Sequence, residues 1–221
     1  MARKQFTNAL WAQASYLYSS LRGNYPGAIR EIDGQTDPGI NADYDYNEFL
    51  HNAYGNLELD RPHQGRLDMV YNAPFGLSAG AQFYVRSGLP TTRFGFYNNF
   101  YPTDLFLDPR GSGPRTPTDY DLNVSLGYNI NIGPVTVTPQ AYLLNALNRQ
   151  TVTAFNTNFN TAGSFVTDPS SPFFGQAGAE PGTTPNCPAS ASAPCTDNPD
   201  YLKAAARTNP RLLRVALKVT F

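Results

Sequence analysis

Apolar and polar side chains alternate with a period of two in six separate stretches of the chain. That is the spacing of a β-strand, whose successive side chains point to opposite faces. In the first stretch Leu10, Ala12, Ala14, Tyr16 and Tyr18 share a face opposed by Gln13, Ser15 and Ser19, with Trp11 and Leu17 as exceptions. In the second, Leu67, Met69, Tyr71 and Ala73 oppose Arg66, Asp68, Val70 and Asn72. The third sets Leu77, Ala79, Ala81, Phe83 and Val85 against Ser78, Gly80, Gln82, Tyr84 and Arg86. The fourth sets the apolar row from Tyr120 to Ile130 against Asp119, Asp121, Asn123, Ser125, Gly127 and Asn129. The fifth sets Val135, Val137, Pro139, Ala141 and Leu143 against Thr136, Thr138, Gln140 and Tyr142. The last sets Leu213, Val215, Leu217, Val219 and Phe221 against Arg214, Lys218 and Thr220. The pattern predicts an all-β fold of about six long antiparallel strands, near residues 6–20, 64–74, 77–87, 119–131, 134–147 and 210–221. Each stretch is long enough for the ~9–11 residues that a tilted strand needs to cross hydrocarbon, where ordinary strands average about five or six.

The connections alternate as well. Ala73-Pro74-Phe75-Gly76 and Asn131-Ile132-Gly133-Pro134 read as tight turns, whereas residues 22–60, 87–117 and 149–208 are long and polar. Short turn and long loop in alternation is the layout of an outer-membrane barrel, with short periplasmic turns and long extracellular loops. Loops of this length fit poorly in a compact soluble domain. With the short turns inside, the first strand runs outward and the last runs back. The apolar rows would then face lipid. The charges Arg66, Asp68, Arg86, Asp119, Asp121, Arg214 and Lys218 all fall on the opposite row and would line the lumen. Tyr16, Tyr18, Tyr71, Tyr120 and Tyr128 lie near strand ends on the apolar row, where an interfacial girdle places its tyrosines.

Composition narrows the class. The 221 residues carry 16 Lys+Arg against 17 Asp+Glu, a net charge of −1, so no basic stripe marks a nucleic-acid partner. Charged residues are 15% and aromatics 13% of the chain, a low-charge, aromatic-rich balance. No apolar run approaches the ~20 residues of a membrane helix, but alternating barrel strands never need one. Residues 1–8 hold no apolar core of a signal peptide, so export of this chain implies a longer precursor. Cys187 and Cys195 lie together in a Pro/Ala/Ser/Thr-rich stretch and read as a loop disulfide in an oxidising compartment, or as two free thiols.

Two sets of motifs resemble known proteins. The chain ends on the aromatic Phe221 behind Leu213, Val215, Leu217 and Val219 at alternate positions. This resembles the assembly signal of bacterial outer-membrane proteins, an edge strand offering one apolar row to the barrel assembly machinery. The stretch from Trp11 to Tyr25, Asn41-Ala42-Asp43-Tyr44-Asp45-Tyr46, Asp60-Arg61-Pro62-His63-Gln64, Leu143-Leu144-Asn145-Ala146-Leu147-Asn148-Arg149-Gln150, and Arg211 to Phe221 together resemble the late barrel strands and loops of TonB-dependent receptors of the Oar-like type. The resemblance implies a 22-stranded barrel, an N-terminal plug energised by TonB, and active uptake of a bulky substrate. Neither plug, TonB box nor signal peptide is found in this sequence. Six strands are also fewer than the about eight that close a filled barrel. The expectation is therefore a partial barrel over residues 1–221, which needs its missing plug and strands and does not transport by itself. An adhesion or structural barrel that binds ligands through its outer loops is the alternative.

Catalytic chemistry is poorly supported. Only His51 and His63 could act as bases near neutral pH, and His63 with Ser87 at a strand rim is a weak pair. No glycine-rich phosphate loop and no Cys/His cluster exists, so neither cofactor nor metal is expected, and the chain is not expected to be an enzyme. Asp33, Asp37, Asp43, Asp45 and Glu48 lack the glycine and final glutamate of a helix-loop-helix calcium site and read first as a solvated polar segment, with calcium held by clustered carboxylates as the alternative. The aromatic loop residues Tyr44, Tyr46, Phe94, Phe96 and Tyr97 are the candidates for ligand recognition.

Overall fold

A computed structural model describes residues 1–6, 9–26, 47–98, 102–161 and 163–221 of the chain. The strands are β1 (Ala2–Gln5), β2 (Leu10–Tyr18), β3 (Arg22–Gly23), β4 (Gly55–Asn56), β5 (His63–Asn72), β6 (Leu77–Arg86), β7 (Phe94–Asn98), β8 (Pro102–Phe106), β9 (Asp119–Tyr128), β10 (Ile130–Ile132), β11 (Val135–Leu144), β12 (Val152–Phe155), β13 (Ala204–Arg207) and β14 (Leu212–Thr220). Asn47–Leu50 forms one 3₁₀ turn. No helix among the described residues is long and apolar enough to cross a membrane.

One antiparallel sheet joins β1, β2, β5, β6, β9 and β11 in that order, with β10 on the β9 side of β11 and β14 on its far side. The six long alternating stretches are the six long strands, each of 9 or 10 residues. The pairing is free of slips: Asp68 faces Gln82, Gln82 faces Asn123, Ser125 faces Tyr142, and Tyr142 faces Arg214. Because side chains alternate strictly, this register carries every polar row onto one face and every apolar row onto the other. Gln140 opposite Gly127 and Ile130 opposite Val137 belong to one register, so β9 and β10 form a single strand interrupted at Asn129.

Three local details differ from the sequence reading. The first strand begins at Leu10 rather than near residue 6, because Phe6 N–H bonds back to the Leu10 carbonyl at 2.9 Å and reverses the chain. Residues before that reversal form β1, which pairs back on β2 and lays the Arg3 guanidinium 5.3 Å from the Trp11 ring. The second short turn is tighter than the four residues expected: Ile132 is still paired, leaving Gly133 and Pro134 as the loop. Gly133 has φ of 60°, a left-handed value natural to the first position of a two-residue hairpin loop. The first short turn lies where the sequence places it, with Ala73 N–H on the Leu77 carbonyl at 2.7 Å.

Burial is inverted relative to a soluble sheet. Leu217 and Val215 on the apolar face are 67% and 73% exposed, while Asp119 on the polar face is 3% exposed. Apart from Ala73 at the first short turn, the buried apolar residues among those described gather in the long loops, at Ala53, Phe94, Phe106, Phe159, Val166, Ala177 and Cys187. The loops at one end of the sheet thus hold their own small core, and the long strands hold no buried apolar side chain among the described residues.

Candidate functional site

The polar face is built by cross-strand neighbours. Arg86 at the end of β6 faces Asp119 at the start of β9, and the register brings Nε to 2.7 Å from Oδ2. On β5, Arg66 Nε lies 2.8 Å from Asp68 Oδ2 two residues along the same face. Gln82 on β6 donates to the other Asp68 oxygen at 3.1 Å. One carboxylate therefore collects donors from two strands. Asp121 adds a buried Oδ1 without a hydrogen-bond partner among the described residues. Arg214 and Lys218 lie on the same face, opposite Tyr142 and Thr138, and make no ion pair among the described residues. All seven charges singled out in the sequence thus share one face. A cavity of about 450 Å³ opens at its loop end, against Tyr84, Asp121, Asn123, Arg149 and Arg207.

The apolar face carries an aromatic cluster at the loop end of the strands. Tyr16 OH and His63 Nδ1 are 2.7 Å apart, and the Tyr18 ring lies 5.4 Å from the same imidazole. Ser87 Oγ accepts from the His63 backbone N–H, not from its ring, so the His63–Ser87 juxtaposition has no catalytic geometry. Tyr71 and Tyr128 take the opposite end, near the short turns.

Above the polar face the loops are clamped together by buried polar side chains. Arg110 is 0% exposed at its side chain. Its Nε donates to the Ala53 carbonyl at 2.7 Å, its Nη1 reaches Glu58 Oε1 at 3.0 Å, and its plane lies 4.5 Å from the Phe106 ring. The Arg110 carbonyl in turn receives the Asn56 N–H at 3.1 Å, and a Cβ on Gly55 would stand 1.8 Å from that oxygen. Glycine at position 55 is therefore required by the close approach of two backbones. A second clamp joins Asp60 to Arg115 Nη2 at 2.5 Å and to the Leu21 N–H at 2.7 Å. Asn160 ties the third loop to the second by accepting from Phe96 N–H at 2.8 Å and donating to the Phe96 carbonyl at 3.2 Å. Burial, with the Arg86 charge nearby, lowers the pKa of Arg61 at the loop edge; a guanidinium stays a cation regardless.

The aromatic loop residues differ in their burial. Phe94 is 1% exposed and packs 5.1 Å from Phe106, so it belongs to the loop core and not to a recognition surface. Its backbone bonds to Thr157 and Phe159 explain why: a strand paired on both sides turns one aromatic row inward. Phe96 is half-buried. Tyr44, Tyr46 and the side chain of Tyr97 lie outside the described residues. Cys187 and Cys195 are disulfide-bonded with Cα atoms 5.5 Å apart.

Sequence reasoning missed the roles of Arg110, Asp60 and Asn160, because a buried polar clamp has no period. Asn145 and Asn148 carried a signal in their spacing. Both adopt left-handed backbone, with φ of 48° and 53°. Asn145 Nδ2 donates to the Asn209 carbonyl at 2.8 Å and Asn148 Oδ1 accepts from Arg211 N–H at 3.0 Å. The pair turns the chain after β11 and pins the entry to β14.

A 134-residue stretch is 35% identical to the TonB-dependent transporter Oar of Myxococcus xanthus, covering 58% of this chain. Over that stretch the chain is similar to a TonB-dependent transporter. It matches 13% of the length of that protein. No family model and no solved structure matches it. The all-β antiparallel sheet of the chain has the two-faced construction of a barrel wall.

Proposed function

We propose that the chain is the C-terminal barrel segment of a TonB-dependent outer-membrane receptor that takes up a bulky substrate. The observation that carries this reading is the register of the long strands, which exposes a continuous apolar face and collects the charges on the other. A closed barrel satisfies both faces: apolar rows against outer-membrane lipid, charges against a wet or plugged lumen. Arg66, Asp68, Arg86, Asp119, Asp121, Arg214 and Lys218 are the lumen charges that a plug would meet. Leu213, Val215, Leu217, Val219 and Phe221 form the row offered to the barrel assembly machinery. The remaining barrel strands pair with the free edges of β1 and β14, since unpaired backbone groups in hydrocarbon cost several kcal/mol each. The long loops face outward, and transport needs the complete receptor.

Energy dependence tests this reading. Uptake by the complete receptor in cells should vanish when the TonB system is removed, while its loops stay accessible at the cell surface. Ligand retention at the surface with no energised uptake would replace the transport reading with that of an adhesion or structural barrel. The clamped loops fit either one.

A further inference from the structure

A second cavity, of about 160 Å³, lies within the loops and away from the polar face of the sheet. Three loops wall it: Glu58 and Leu59 from the first, Leu89, Pro90 and Thr116 from the second, Ala154 and Phe155 from the third. Its walls are held by backbone bonds. Thr116 N–H reaches the Leu89 carbonyl at 2.8 Å, and Leu89 N–H reaches Thr116 Oγ1 at 2.8 Å. Phe94 N–H reaches the Thr157 carbonyl at 3.0 Å, which docks the third loop on the second. Glu58 is the one ionisable side chain on the wall, and the buried Arg110 guanidinium 3.0 Å away offsets its charge. A preformed site keeps the ordering cost of binding low.

Size and polarity then select the occupant. The cavity is smaller than the ~300 Å³ lower bound of sites for whole drug-sized ligands. It is close to the ~150 Å³ apolar cavity that takes up benzene. Leu89, Pro90, Ala154 and Phe155 supply apolar contact, and the neutralised Glu58 offers no net charge to an ion. We propose that this pocket binds one neutral, benzene-sized aromatic ring, as the anchor group of a ligand that reaches the loops. The ring has two sources, a free small aromatic or a Phe or Tyr side chain of a polypeptide. This inference goes beyond the transport reading, and its test rests on the part of that reading that sets the apolar row in lipid.

The test is methyl NMR of the complete receptor in lipid nanodiscs, titrated with phenol in one arm and with N-acetyl-phenylalaninamide in the other. Leu59 and Leu89 report on the pocket, and Leu217 on the lipid-facing row reports ring that has merely dissolved in lipid. Saturable shifts at Leu59 and Leu89 with phenol are expected, against a linear drift at Leu217. Saturation with both probes assigns the pocket to a polypeptide side chain, and with phenol alone to a free aromatic. Ala154→Trp and Leu89→Phe fill the pocket from different loops, and each should weaken binding about tenfold or more at Leu59 while the Ala53 methyl keeps its position. The proposal is overturned if Leu59 only drifts in parallel with Leu217, or if both filling variants leave its saturation unchanged.

Discussion

At the scale of single residues, the chain places its most deeply buried charges where two loops meet. Arg110 makes three kinds of contact at once: a carbonyl, a carboxylate and an aromatic face. Removing one partner of such a pair leaves the other charge buried and unpaired, which costs about 3–5 kcal/mol. Arg110→Met should therefore loosen the loops without disturbing the strands. Limited proteolysis should show cleavage within residues 47–62 and 87–118 accelerated about 100-fold or more, since local opening tracks the free energy of the segment. Unchanged cleavage would mean that the clamp adds nothing to loop order. Little of this was legible in the sequence. Arg110, Asp60 and Asn160 stand among ordinary turn residues, and nothing in their local pattern says which distant carbonyl they will reach. Asn145 and Asn148 are the exception. Their repeat three residues apart after an apolar strand marks positions that tolerate left-handed backbone.

At the scale of elements, strand positions were readable because alternation is a local property that tertiary contacts need not supply. β5, β6, β9, β11 and β14 lie where the apolar and polar rows place them. The start of β2 was not readable, since the reversal at Phe6 is set by pairing with β1 rather than by composition. The two faces make opposite demands, and β11 with β14 tests them. Val215 lies on the apolar face opposite Ala141; Thr136 lies on the polar face opposite Thr220. Val215→Asp should block membrane assembly, an ionised side chain in the lipid layer costing on the order of 1–3 kcal/mol. Thr136→Asp should be tolerated. Membrane fractionation of the two variants decides it, and equal recovery of both would contradict the assignment of faces.

At the scale of the whole molecule, sheet and loops should behave as two stability units. The long strands bury no apolar side chain among the described residues, whereas the loops hold buried apolar groups, buried ion pairs and the Cys187–Cys195 disulfide. Damage in one should stay there. Replacing both cysteines with serine should cost about 2–3 kcal/mol, from the lost loop-closure constraint. Hydrogen exchange should rise at the backbone amides of positions 179 and 195 in the third loop, which bond each other's carbonyls in the native chain, and stay unchanged in β5, β6 and β9. Faster exchange in those strands would mean that sheet and loops unfold together. The sequence by itself determined the strands, their lengths, the two faces and the alternation of short and long connections. All of these follow from the period-two geometry of an extended backbone and from glycine and proline at turns. Tertiary structure alone decided that Phe94 turns inward, that Arg110, Asp60 and Asn160 lock the loops, and that a ring-sized pocket forms between them. Those features arise from groups far apart in the chain, brought within bonding distance only when the loops close over the end of the sheet.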